Sequence, residues 1–395
     1  MISFDEAVER IRSIAKPLGS EKVPLGDAAG RVLAAPVVAR IDSPRTDVSA
    51  MDGYAVREED LASLPARPSI AGESFAGAGW RGMVASGMCA RIFTGAPVPV
   101  GADRVIMQEN VRREGDCAIV DEHPGPARHI RQRGSDFCVG DELLPAGRLL
   151  DPRAIVAAAA ADVDGVEVFR RPRLQILSTG DELAEPGAAR ERADAIPESV
   201  SFGVAALAQQ WGGECLETTR LRDDLPAMER AAKAALDGAD VVVVTGGASV
   251  GEKDLAKAMF DPLGLELVFP KVSIKPGKPV WLGRVGDKLV MGLPGNPTSA
   301  LVTGRLFLAP LLAGLTGLSI HRALRWRTEG LASELKACGP RETFHRARAV
   351  GGAAEILSFQ DSSAQKALAD ADLLVRQRAN ARAMPIGAPV EVLDF

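Results

Sequence analysis

Three apolar runs between residues 172 and 318 end alike, and they constrain this chain more than anything else in it. Leu174-Gln-Ile-Leu177 passes into Ser178-Thr-Gly-Asp-Glu182, the valine run 241–244 into Thr245-Gly-Gly-Ala-Ser-Val-Gly251, and Leu289-Val-Met-Gly-Leu293 into Pro294-Gly-Asn-Pro297. Each run has a strand's length, and each glycine turn leads into a helical stretch. Strands alternating with helices predict a parallel α/β sheet. Crossovers of one hand place the three turns along one edge of it. Ligands of such sheets bind outside the carboxyl ends of the strands.

The flanking segments read differently. A helix is expected over 4–15, a shorter one over 26–33 and a strand over 36–40. Between 44 and 137 short apolar runs such as Ala90-Arg-Ile-Phe93 and Arg104-Val-Ile-Met-Gln108 alternate with Gly and Pro, the texture of a small β-rich unit. Asp151-Pro152 opens an alanine-rich helix, with Asp as N-cap and Pro at its first position. Period-2 runs at 343–350, 355–359 and 390–393 predict a small terminal β-barrel or sandwich. The 40 Gly and 26 Pro among 395 residues supply the tight turns this division needs. The expected units are 1–43 with 138–171, an insertion at 44–137, the α/β unit at 172–318 and the terminal unit at 319–395.

Charge and composition remove several function classes. Lys and Arg number 47 against 52 Asp and Glu, so no basic excess exists to neutralise a nucleic-acid backbone. Aromatics are 4 %, too few to suggest a base-stacking platform. Cys89, Cys117, Cys138, Cys215 and Cys338 form no Cys-x-x-Cys pair, and the four histidines form no His-x-x-x-His pair, which argues against a disulfide framework or a zinc site. The start carries no basic and apolar leader, and the apolar stretches at 154–163 and 241–244 are too short to span a bilayer. A reduced, soluble, cytoplasmic protein with neither nucleic-acid nor membrane partner is expected.

Several segments could carry chemistry. In the turn after the valine run, Gly246 and Gly247 free backbone N–H groups for an anion, beside Ser249, and a following helix N-terminus adds positive dipole. Glu252 and Asp254 then open that helix, where carboxylates could hold a divalent ion. The same turn contains Gly247-x-Ser249-x-Gly251, the pattern of a hydrolase nucleophile elbow, with only His321 and His345 downstream to serve it. Lys275 and Lys278 stand three apart across a Pro-Gly turn ending in Pro279, so both ammonium groups could converge on one oxyanion. Pro294 and Pro297 bracket a helix start next to Ser299, where N–H groups are left free. Asp52 lies in an Asp-Gly turn, and Asp136 closes a polar loop containing Arg131 and Arg133.

Taken in order, Ser49-Ala-Met-Asp-Gly-Tyr-Ala55, Ile92-Phe-Thr-Gly-Ala-Pro97, Ile130-Arg-Gln-Arg-Gly-Ser-Asp136, Ser178-Thr-Gly-Asp-Glu-Leu183, Thr245-Gly-Gly-Ala-Ser-Val-Gly-Glu-Lys-Asp254, Lys275-Pro-Gly-Lys-Pro279 and Leu293-Pro-Gly-Asn-Pro-Thr-Ser299 resemble the molybdopterin molybdenumtransferases. These are the MoeA proteins, similar to the E domain of gephyrin. Pro340-Arg-Glu-Thr-Phe-His-Arg346 resembles the start of that family's terminal β-domain.

The resemblance implies a multidomain α/β plus β chain. Its parts would be a central parallel α/β, MogA-like molybdopterin-binding domain, a β-rich insertion, an N-terminal linker domain and a C-terminal small β-barrel. It implies a transferase of molybdenum cofactor biosynthesis, which inserts molybdate into adenylylated molybdopterin and releases AMP with the help of magnesium or another divalent cation. It implies a homodimer with a shared cleft, supplied by a molybdopterin adenylyltransferase and passing its product to molybdoenzyme chaperones. Lys275, Lys278, Pro279, Ser299 and Arg346 match positions that bind molybdate; Asp52, Thr94, Asp136, Glu182 and Asp254 match positions tied to activity, Glu182 and Asp254 nearest the metal. Asp52 and Asp136 would act across the dimer.

Two departures stand out. Where the family has an Asp-Ser/Thr-Asn run, this chain has Glu198-Ser-Val200. The carboxylate is one methylene longer, and Val200 has lost the amide's donor and acceptor. Weaker use of the adenylylated substrate is the expectation. Near the C-terminus a serine-rich pattern with an Arg gives way to Ser362-Ser-Ala-Gln-Lys-Ala367, with alanines at Ala364 and Ala367. A non-catalytic molybdopterin-binding scaffold is the second class of reading that these departures leave open.

Overall fold

The computed structural model describes residues 1–246 and 255–395. The α/β unit carries a six-stranded sheet in the order Glu214–Leu221, Arg173–Thr179, Val241–Thr245, Lys288–Leu293, Trp281–Val285 and Glu266–Phe269. The first four strands run parallel, which sets the three glycine turns side by side. The fifth, Trp281–Val285, runs antiparallel to both of its neighbours, so the sheet is mixed rather than parallel throughout. The cause is local: Gly286-Asp287, with Gly286 at φ 58°, joins Val285 to Lys288 in a two-residue hairpin, too short for a crossover.

Helices cover both faces. Val200–Gln210 and the continuous apolar helix Pro297–Leu315 lie on one, and Leu225–Gly238 on the other, capped by Asp224. Pro297–Leu315 is long and apolar enough to cross a membrane by composition, a stretch the sequence reading overlooked. It is the core helix of this unit, almost wholly buried.

The insertion is a second six-stranded sheet, ordered Arg104–Met107, Gly53–Val56, Met88–Ile92, Ser69–Ser74, Cys117–Ile119 and Arg112–Glu114. The segment bearing both chain crossings pairs Ser20–Pro24 with Gly165–Phe169 and Val37–Val38 with Glu142–Leu144, under the helix Pro152–Ala160 capped by Asp151. The helix expected over 26–33 is absent. A single turn, Leu25–Asp27, forms instead, because Gly30 takes φ 73° while Val32 and Leu33 bridge to Leu149 and Val168. The terminal unit is a closed five-stranded barrel. Glu342–Val350 pairs with Ala353–Ile356 and, on its other side, with Leu373–Gln377; Arg327–Leu331 and Pro389–Asp394 complete the ring.

The N-terminal helix Phe4–Ile14, capped by Ser3, joins the α/β unit to the barrel. Phe4 meets Phe307 of the core helix at 5.7 Å, Phe344 of the barrel at 5.0 Å and Trp326 at 6.3 Å. Arg376, on a barrel strand, lies over the Phe4 ring at 4.7 Å and ion-pairs with Asp5 and with the buried Glu342. Removing the guanidinium leaves Glu342 buried beside, among the described residues, only the more distant Arg378. Arg376→Ala should therefore lower stability by about 3–5 kcal/mol, read as a fall in the urea midpoint. Burial raises the Asp5 carboxyl, but Arg376 and Arg378 outweigh it and hold it below its usual range. That contribution is present above the ordinary Asp value and lost as pH falls through the folded one, so the acid-unfolding midpoint of Arg376→Ala should move upward.

Candidate active site

The carboxyl ends of the four parallel strands open into a cavity of about 860 Å³. Its wall is built from the turns that follow each strand: Asp223, then Gly180 and Glu182, then Gly246, then Pro294 to Pro297. Glycine is required where these turns meet. A methyl group on Gly246, at φ 88°, would stand 2.4 Å from the Thr179 carbonyl oxygen, and one on Gly295 would stand 3.2 Å from the Gly246 Cα. The Glu182 carboxylate folds back over Gly180, whose Cβ would meet its Oε2 at 2.7 Å.

The barrel closes the far side of the cavity through the loop at 360–365. Ser362 accepts the Thr298 N–H through its carbonyl at 3.1 Å, and its hydroxyl accepts from Asn296 Nδ2 at 3.1 Å. Ser363 and Gln365 thereby enter the wall. Arg346 holds this loop from behind. Its guanidinium, 1 % exposed, donates to the Asp361 carbonyl at 3.0 Å, to the Ala364 carbonyl at 3.4 Å and to Thr298 Oγ1 at 3.3 Å. Arg346 is thus absent from the cavity wall, and Ser299, 5 % exposed, is also outside it.

Lys275 and Lys278 are exposed, and neither has an ion-pair partner among the described residues. Their loop is fixed at both ends. Ile274–Lys275 adds to the barrel strand at Glu342, and Gly277, at φ 95°, packs where a side chain would strike Thr303 of the core helix at 2.1 Å. Pro279, at the end of the same loop, lines the cavity, which puts the loop that carries both lysines at its rim, although neither lysine is itself part of the wall. Burial, and then the positive charge of Lys275, hold the His345 imidazole below its usual value against the opposing hydrogen bond that its Nε2 donates to Gln377 Oε1.

Glu198 is buried, with 6 % exposure, in the cavity wall. Its carboxylate accepts the Ser201 N–H at 2.9 Å, the Ser201 hydroxyl, and the Ser178 hydroxyl at 3.4 Å; Ser178 in turn accepts from Thr245. The longer acid therefore caps the helix Val200–Gln210. Val200 packs into the main core and also lines the cavity, so an amide there would lie against apolar neighbours at the edge of the site.

In the insertion, Asp52 Oδ1 accepts from the Thr94 N–H and hydroxyl, both at 2.7 Å. These two bonds, backbone first, hold the Asp52 carboxyl below its usual range. Asp136 is exposed, its loop tied to Ser43 by a main-chain bond of 3.0 Å. Asp52, Thr94 and Asp136 are all absent from the cavity wall. Gly247, Ser249 and Asp254 lie outside the described residues. Among the described residues no group of three or more His, Cys, Asp or Glu side chains is arranged to hold a metal ion.

Two family models match this chain: the MoeA N-terminal region, domains I and II, over residues 2–161, and a probable molybdopterin binding domain over residues 175–314. A molybdopterin molybdenumtransferase of Haemophilus influenzae is 38 % identical over 319 residues, 80 % of this chain and 78 % of that protein. The chain belongs to the MoeA family. A Staphylococcus aureus molybdopterin molybdenumtransferase is 29 % identical over 401 residues, 99 % of this chain and 95 % of that one. The crystal structure of a molybdopterin biosynthesis MoeA protein from Pyrococcus horikoshii superposes with a TM-score of 0.86 at 26 % identity, covering all of both chains.

Within this MoeA fold the structure adds Asp223, Asn296, Ser363 and Gln365 to the candidate site, none of them chosen from the sequence. Asp223 follows Glu214–Leu221, a strand at the sheet edge whose polar, half-exposed pattern resembles a surface segment. Burial, then repulsion from Asp181 and Glu182, raises the Asp223 carboxyl above its usual value. The folded state therefore disfavours its charge above that value and regains the loss on protonation. Asp223→Asn should melt at or above the wild-type temperature at pH 7, and the difference should shrink as pH falls through the raised folded value and vanish below the ordinary Asp value. A lower melting temperature at pH 7 would contradict the repulsion.

Proposed function

We propose that this chain is a transferase of molybdenum cofactor biosynthesis that inserts molybdate into adenylylated molybdopterin and releases AMP. The observation that carries this reading is the union at one edge of the sheet of close-packed glycine turns, the acids Glu182 and Asp223, and Pro279 at the end of the loop that carries Lys275 and Lys278. Lys275 and Lys278 would hold the tetrahedral dianion as two compact charges. The backbone N–H groups of Gly246, Gly295 and Asn296, which line the cavity, would receive phosphate oxygens. Pro294, Pro297 and Pro279 shape the wall and donate nothing, and the Thr298 N–H is already given to the Ser362 carbonyl.

The mutual repulsion of Asp181, Glu182 and Asp223 supports a divalent cation there, magnesium in this proposal, with Glu182 and Asp223 as oxygen donors beside Asp254. When bound, that ion would neutralise charge at the adenylyl phosphates. Asp52, Thr94 and Asp136 stand in the insertion, away from the cavity wall of their own chain, which supports a homodimer whose insertion completes the neighbour's crevice. Arg346 contributes through the loop it supports, and Ser299 through the helix start. Glu198 and Val200 leave weaker use of the adenylylated substrate as part of the proposal. The hydrolase alternative has no support from histidine, since neither His321 nor His345 is in the cavity wall. A molybdopterin adenylyltransferase would supply the substrate, molybdoenzyme chaperones would accept the product, and the cytoplasm is the compartment proposed.

The test supplies the pure protein with adenylylated molybdopterin, magnesium and molybdate, and follows AMP and active cofactor. Molybdate-dependent AMP release is expected. In the same assay Lys275→Ala should weaken molybdate binding by about ten- to a hundredfold, since a charge-assisted contact is lost. Its stability should hardly change, because exposed charges contribute little. Unaltered molybdate binding in Lys275→Ala would reduce the lysine pair to a solvated turn.

A further inference from the structure

The mechanism above uses Asp52 and Thr94 but leaves unexplained what fixes them in an exposed part of the insertion. The Asp52 carboxylate makes both of its hydrogen bonds through Oδ1, to Thr94; among the described residues Oδ2 accepts none. Asp52 itself stands in a loop between Val48–Ser49 and Gly53–Val56, and its own carbonyl accepts the Gln108 N–H at 3.0 Å. Three segments therefore set where Oδ2 points: Gly53-Tyr54 after it, Phe93-Thr94 beside it, and Gln108 below it.

One side chain touches all three. Arg91, from the strand Met88–Ile92, donates through Nη1 to the Gly53 carbonyl at 3.1 Å and through Nη2 to the Gln108 side-chain oxygen. Its guanidinium also lies between two rings, 5.0 Å from the Tyr54 centroid and 4.9 Å from that of Phe93. Phe93 is stacked in turn on Phe75, centroids 4.7 Å apart and planes 11° from parallel. The Arg91 charge adds to the two Thr94 bonds in keeping Asp52 ionised.

We propose that Arg91 is the positioning residue of the Asp52–Thr94 pair, aiming the free carboxylate oxygen through the segments on either side of it. The fork and the flat cation are both needed. A lysine would keep the charge near Asp52, but its single ammonium on a flexible stem cannot bridge Gly53 and Gln108 while filling the space between two rings. The inference rests on the proposed place of Asp52 in the crevice, and the experiment separates the two.

A double-mutant cycle on AMP release, with the full-length protein and melting curves for each variant, decides it. Asp52→Asn should lower kcat/KM strongly. Arg91→Lys should lower it by about ten- to a hundredfold, the scale expected when a reacting group is misplaced by about an ångström. The double variant should be no slower than Asp52→Asn alone, because a misaimed carboxylate cannot matter once it is gone. Gln108→Ala, which removes one partner of the fork and leaves the sheet intact, should give a smaller loss with the same non-additivity. A wild-type rate for Arg91→Lys while Asp52→Asn is impaired would overturn the positioning role. So would equal losses from Arg91→Lys in both backgrounds, which is what a general brace of the insertion would give. Were Asp52→Asn itself fully active, the place of Asp52 in the crevice would fall first and the role of Arg91 with it.

Discussion

Everything about the crevice depends on where the barrel stands, and a buried guanidinium sets that. Among the described residues Arg346 has no carboxylate in contact; its charge is met by the carbonyls of Asp361 and Ala364 and by Thr298. Burial pulls its pKa below the usual arginine value, so the arrangement is held at a cost. What it secures is a loop from one unit lying across a helix start of another, with Ser362 satisfying a Thr298 N–H that the helix leaves open. Without that loop the cavity would lose Ser363 and Gln365 and open to solvent on one side.

A second constraint works from the opposite end. The Phe4 helix inserts between the core helix and the barrel, and its aromatic contacts with Phe307, Phe344 and Trp326 belong to one continuous cluster. Lys275, on the strand that joins the barrel edge, is therefore placed by both units at once. The lysine rim, the glycine turns and the barrel loop are parts of three structures that must be docked before the site exists. The insertion is different: its sheet has its own core around Tyr54, Cys89 and Ile106 and carries Asp52 apart from the crevice.

How far could the residues alone take this? The strand at 241–244 and its glycine turn were readable because a strand buried on both faces must be apolar throughout. The edge strand Glu214–Leu221, separated from it by Arg173–Thr179, was not, since an edge strand needs apolar residues on one side only, and Asp223 was hidden with it. The antiparallel pair announced itself in Gly286-Asp287, a hairpin signal that the alternation of strands and helices masked. Gly26 and Gly30 spoke against the helix expected over 26–33. Of the site, the glycines and lysines were readable because their chemistry is local. Arg346 was readable as a motif residue, yet its burial behind a loop depends on docking that no local pattern records. Ser363 and Gln365 reach the crevice only through that docking.

The central claim is a crevice built by the α/β edge and barrel of one chain and completed by the insertion of another. Subunit mixing tests it most directly. Asp52→Asn and Lys278→Ala, each expected to be strongly impaired alone, are combined under conditions that exchange subunits. Random pairing makes half the dimers mixed, and in each of those one of two crevices has both halves intact, so activity should return to about one quarter of the wild-type level. A mixture that exchanges subunits yet stays as inactive as its parents would place both residues in one chain's site and contradict the shared crevice.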